Sequence, residues 1–310
     1  MEKQRRKLNL VKARRRVRMR SALLLTLGIC CVMKGYRFFL TLNCAGAYDP
    51  DHLFGWILET LMTVAFFGGG SYLGLCVLDG CQTKILPRGT LSPAQTLWLT
   101  LMGVLLAAPM TLGVDVLRSL FSRYGPEVQP MALHVQAPGV FLLTLLKSAL
   151  LAPVLEELFF RGYLLHALRR FGSARAAAVS ALCFALVHLG GKGYTPQVVA
   201  GVMYAVMGLL LAALTLHTGS LLAPVLVHAI YNLTLVLLSG MGLSWFFENL
   251  SLSSCVLRLG MCVLFAACLR RAWTARGTAA QLRPMEKLTK KEWALVAAAA
   301  VLALAAGVLG

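Results

Sequence analysis

The chain has 310 residues, 58% of them hydrophobic, and a mean hydropathy of +0.74. That composition excludes an ordinary soluble domain and points to the membrane class. The formal net charge is +18, but ten of the thirty Lys and Arg lie in the first twenty residues with no aromatic side chain among them. No stacking platform for bases exists there, so nucleic acid is not an expected partner, and the run reads as a cytoplasmic retention signal.

Crossing a hydrocarbon core of about 30 Å takes about 20 apolar residues of helix. Nine such spans are predicted in chain order: 21–42, 53–78, 96–117, 139–160, 174–190, 197–216, 221–238, 252–269 and 292–309. Lys34 and Arg37 must snorkel from the outer half of the first, which is expected to stay uncleaved although Ala45-Gly46-Ala47 resembles a signal-peptide cleavage site. With the N-terminus inside, alternation leaves 23 Lys and Arg on the inner segments and 3 on the outer ones, as the positive-inside rule requires. The fold class is therefore all-α, a polytopic transmembrane helical bundle of about eight to nine spans. His217-Thr218-Gly219-Ser220 joins two spans by a tight turn, making them antiparallel neighbours, and Gly201 and Gly208 share a face suited to close packing. The nine cysteines form no CxxC pair, which argues against a zinc ribbon or a disulfide framework.

Three polar groups interrupt the apolar spans. Ionisable side chains at such depth cost roughly 2.5–3.5 kcal/mol each and persist mainly where they pair or do chemistry. In Glu156-Glu157-Leu-Phe-Phe-Arg161, Glu157 and Arg161 are one helical turn apart and can form an ion pair. Glu156 lies about 100° around the helix, free to act as a base. Pro153 upstream removes a backbone N–H and predicts a kink. Phe184 and His188 are also four apart, as are His228 and Asn232, which can both donate hydrogen bonds to a developing negative charge. Taken singly, the charged pair reads equally as a helix end, His188 as a packing residue, and His228 with Asn232 as interhelical glue.

The order Glu-Glu-x-x-x-Arg, Phe-x-x-x-His, His-x-x-x-Asn resembles the CPBP family of intramembrane proteases. That family contains the CAAX prenyl endopeptidases and bacterial bacteriocin-processing or immunity-associated proteins. Thr218-Gly219-Ser220-Leu221 followed by Pro224 and His228 adds to the resemblance, which covers about residues 140–235. It implies a four-helix catalytic core in which Glu156 activates the attacking water and His188 helps to hold it. His228 and Asn232 would stabilise the oxyanion, while Glu157 and Arg161 orient the site. The expected organisation is a basic cytoplasmic tail over 1–20, N-terminal transmembrane helices over 21–138, a catalytic core over 139–238 and C-terminal transmembrane helices over 239–310.

The implied function is an intramembrane endopeptidase acting on a hydrophobic or lipidated peptide or protein, embedded in the lipid bilayer of a prokaryotic plasma membrane. Alternatives are a non-catalytic immunity or scaffolding protein that binds a peptide in the same pocket, and a transporter, although no inverted repeat is evident. The family has carried a metalloprotease label, yet the chain has no His-Glu-x-x-His. Zn²⁺ held by His188, His228 and a Glu from separate helices is one possibility; a site with no cofactor is favoured. Depth poses a difficulty, since these spans put Glu156 near the cytoplasmic edge, His228 about 10 Å in and His188 about 21 Å in. Of the remaining charges, Glu59, Asp115, Lys147 and Arg258 are expected to form structural pairs, with the lining of a substrate path as the alternative.

Overall fold

A computed structural model describes residues 19–36, 53–78, 90–121, 138–169, 172–189, 194–241, 243 and 251–275. The predicted span 292–309 and the basic tail up to residue 18 lie outside them. The described residues form helices α1 (Met19–Tyr36), α2 (53–78), α3 (Pro93–Leu105), α4 (Ala107–Phe121), α5 (138–168), α6 (Ser173–His188), α7 (Tyr194–Thr218), α8 (Leu222–Gly240) and α9 (Leu252–Thr274), and no β-strand. The fold is a polytopic helical bundle. Six of its helical stretches are long and apolar enough to cross a membrane, α3 and α4 counting as one, and α6 is a shorter apolar helix. Lipid-facing side chains such as Leu252, Val263 and Leu142 cover its outside.

Local chemistry sets several helix ends. Ser92 and Gln95 form a reciprocal capping box at the start of α3, with Pro93 in its first turn. Gly219, at φ 63°, makes the turn between α7 and α8, and the Thr218 and Ser220 side chains accept the backbone N–H groups of Ser220 and Leu222.

The fourth predicted span needs correction. The sequence reading ends it at residue 160, because Glu156, Glu157 and Arg161 close the apolar run. The helix instead continues to Leu168, and Arg161 is fully buried. Arg161 therefore does not belong with the inner-loop charges. The extension also removes the depth difficulty. From the turn around Gly172, Glu156 lies about 20 Å back along α5 and His188 about 24 Å forward along α6, by helical rise. The two helices run side by side, with Ser180 Oγ donating to Phe160 O and the Phe160 and Phe184 rings meeting edge to face.

Close packing between α6 and α7 depends on Gly208. A Cβ there would sit 2.8 Å from Ala181 Cα, which is backbone and cannot rotate aside. At Gly201 a Cβ would sit 3.1 Å from Leu189 Cδ2, a side-chain tip that can shift. Charges inside the bundle are paired, as expected. Arg258 of α9 is fully buried and donates to Asp115 of α4 at 2.7 Å, and Lys147 of α5 pairs with Glu59 of α2.

Gly208→Ala is expected to force α6 and α7 apart and to lower stability by about 1–3 kcal/mol. Thermal unfolding in detergent measures it, and an unchanged midpoint contradicts the close-packing account.

Candidate active site

All six polar residues singled out in the sequence converge where α5, α6, α7 and α8 meet. Glu157 and Arg161 are both fully buried, with Arg161 Nη1 donating to Glu157 Oε1 at 2.8 Å. Arg161 Nη2 donates to Gly208 O at 3.1 Å, and the guanidinium lies 4.6 Å from the Phe184 ring centre. The same Glu157 oxygen faces His228 Nδ1 at 2.9 Å. One carboxylate thus ties a cation on α5 to an imidazole on α8. It sets His228 with Nδ1–H toward Glu157, leaving Nε2 as the nitrogen available for chemistry.

Glu156 points elsewhere, as the 100° offset requires. Its Oε2 lies 3.5 Å from His188 Nε2, and that buried oxygen has no hydrogen-bond partner among the described residues. His188 Nδ1 is 2.7 Å from Phe184 O. A carbonyl only accepts, so Nδ1 carries a hydrogen and Nε2 is the nitrogen turned to the carboxylate. Glu156 and His188 can therefore share one further proton, on either the carboxyl or the imidazole. The His188 ring is held between Phe184 and Tyr204, with centroids 4.4 and 4.5 Å away.

Backbone geometry around the carboxylates is unusual. Residues Lys147–Leu151 and Leu158–Leu164 are π-helical turns on either side of Glu156 and Glu157. In the first, Ala152 N–H reaches Lys147 O, so the next amide in that register, at Pro153, would serve Ser148 O. Proline has no N–H to offer, and Asn232 Nδ2 donates to Ser148 O instead, at 2.7 Å. The kink predicted at Pro153 takes the form of this π turn, and the carbonyl it releases locks α8 to α5.

A cavity of about 280 Å³ opens beside these groups, bounded by α1, α2 and α5 to α8. Glu156, His188 and Asn232 are in its wall. Glu157, Arg161 and His228 lie behind it, at most 5% exposed. Tyr204, to which sequence reasoning assigned no part, and the Glu59–Lys147 pair also line the cavity. Tyr204 was within reach of a helical-face argument; the partners of Glu59 and Lys147 depend on tertiary packing.

Residues 138–234 match the family model Type II CAAX prenyl endopeptidase Rce1-like. This α5–α8 core is a CPBP-family domain. The match takes in each of the six polar residues, and the CPBP family supplies the membrane-protease class. No curated protein and no solved structure matches the chain.

The zinc alternative fares poorly in this CPBP core. Among the described residues, no three His, Cys, Asp or Glu side chains stand together as metal ligands. His188 Nε2 is turned to Glu156 and His228 Nδ1 to Glu157. The metalloprotease label finds no support in this arrangement.

Glu157→Gln is expected to leave the buried Arg161 uncompensated and to destabilise the protein by about 3–5 kcal/mol. Adding Arg161→Met to that variant should restore much of the loss. Unfolding midpoints of the single and double variants in detergent check both outcomes.

Proposed function

We propose that this protein is an intramembrane endopeptidase that hydrolyses a peptide bond with a water activated by Glu156. The observation that carries the reading is Glu156 facing His188 in the wall of a cavity that Asn232 also lines. Membership of the α5–α8 core in a membrane-protease family supports the reaction class. The substrate is a hydrophobic or lipidated peptide or protein that enters from the bilayer, and the basic N-terminal tail lies on the cytoplasmic side.

In the proposed reaction, Glu156 takes a proton from water while His188 holds that water against it. The hydroxide adds to the peptide carbonyl carbon. Asn232 keeps one amide hydrogen on Ser148 O and presents the other to the oxyanion. His228, whose Nδ1–H stays on the Glu157 carboxylate, donates a hydrogen from Nε2 on the same side. As the C–N bond breaks, the proton shared by Glu156 and His188 passes to the leaving amine, so the water ends up divided between the two products. Arg161 and Glu157 fix the positions of these groups and touch no reacting atom. The chemistry belongs to the side chains alone, with no cofactor.

The test is cleavage of a library of prenylated and unmodified hydrophobic peptides by the purified protein in lipid. Wild type is expected to cleave at least one member, with turnover lost in Glu156→Gln and unchanged by a chelator. Binding of peptides equally by both proteins without cleavage would favour the non-catalytic reading. Asn232→Ala is expected to lower kcat about 100-fold with little change in KM, the usual consequence of removing an oxyanion donor. Steady-state kinetics on the best library member decides this.

A further inference from the structure

His188 stands at an awkward place for a group that must hold a water steadily. It is the last residue of α6, and at Leu189 the backbone turns to extended geometry, φ −64° and ψ 129°. Its side chain is 22% exposed and lines the cavity. The contact of Nδ1 with Phe184 O pins one edge of the ring, and the Phe184 ring lies 4.4 Å away with the planes 39° apart. Both restraints come from α6 itself, one turn back.

Tyr204 supplies a restraint from another helix. Its ring stacks on the imidazole with centroids 4.5 Å apart and planes at 28°. The two aromatic rings approach from different directions, since their own centroids are 6.4 Å apart. An imidazole set in the corner between them cannot turn about its Cβ–Cγ bond without meeting one of them. Tyr204 is itself held in register. It precedes Gly208 by one turn of α7, so the two share a face. Gly208 O accepts Arg161 Nη2 at 3.1 Å, and the missing Cβ lets α7 lie directly on Ala181 of α6. The buried ion pair behind the cavity thus sets the height of the tyrosine that covers His188.

We propose that Tyr204 is a positioning residue whose ring holds His188 with Nε2 toward Glu156, acting through that imidazole alone. The consequence for turnover rests on the endopeptidase reading; the restraint on the ring does not. A flat ring is what the place requires, so Phe serves there and an aliphatic side chain does not. Reacting groups displaced by an ångström lose rate steeply, so a loosened His188 slows the chemical step and leaves substrate binding alone.

The experiment uses the full-length protein in lipid nanodiscs with isotopically labelled histidine rings. His188→Ala identifies the His188 NMR signal by its disappearance. Stacking displaces ring protons upfield, so Tyr204→Leu is expected to move that signal downfield while Tyr204→Phe leaves it in place. Tyr204→Met repeats the measurement with a longer side chain, covering the case in which Leu impairs folding. On the best library peptide, Tyr204→Leu is expected to lower kcat roughly 10–100-fold at near-constant KM, with Tyr204→Phe close to wild type. In the His188→Ala background, Tyr204→Leu should cost nothing further. A His188 signal that ignores loss of the ring overturns the proposal. So does a change in KM alone, which would assign Tyr204 to substrate contact, or equal damage by Phe and Leu, which would assign the role to the hydroxyl. A kcat loss that persists in full without His188 overturns it as well. If wild type cleaves no peptide, the endopeptidase reading fails by itself, and the NMR signal still decides whether Tyr204 holds His188.

Discussion

The bundle interior is organised around a buried guanidinium. Arg161 has no access to water, so its charge must be met inside the protein. Glu157 meets it from one turn earlier on α5, Gly208 O from α7, and the Phe184 ring from α6. Glu157 in turn holds His228 of α8. Each of the four helices in the core contributes to this one arrangement, which fixes their relative heights. It also determines which carboxylate remains for chemistry. With Glu157 committed to a cation and an imidazole, Glu156 is left to face His188 and the cavity.

Two π-helical turns make this division of labour possible. In a uniform α-helix through residues 147–164, Pro153 would withhold its amide from Ala149 O and leave Ser148 O bonded. Wider turns on each side of the Glu pair change the register, and Pro153 then withholds an amide from Ser148 O. Asn232 fills that gap. The same bond that orients the Asn232 amide also joins the two helices, so catalytic geometry and helix docking share one hydrogen bond. π turns are rare and frequently mark functional sites, because each one releases backbone groups from the ladder.

Much of this was legible in the residues. The second span, 53–78, has the same limits in the structure, and α6, α7 and α8 begin and end within three residues of their predicted spans. Hydropathy finds the apolar slab well. It fails at α5, where buried charges imitate a membrane boundary. One-turn spacings correctly linked Glu157 with Arg161, and they set Glu156 apart. They could not show that His228 bonds to Glu157, since those residues are 71 apart and meet only through tertiary packing. Nor could they show that Asn232 is spent partly on Ser148 O, because the π register has no signature in composition.

The ion pair between Asp115 and Arg258 carries a consequence for how the protein is made. Its partners are 143 positions apart, with the whole α5–α8 core between them. During synthesis α4 must enter the membrane with its carboxylate waiting for a partner on a helix not yet translated, apart from Arg118 at 4.0 Å on the same helix. Helix α9 later arrives with an arginine that lipid does not tolerate well. Only 17% of its apolar stretch is buried, so hydrophobic packing gives it little reason to stay. Release of α9 sideways into the bilayer would expose the charge, and docking on α4 hides it. The pair therefore ties α9 to α4 across the whole intervening length of the α5–α8 core.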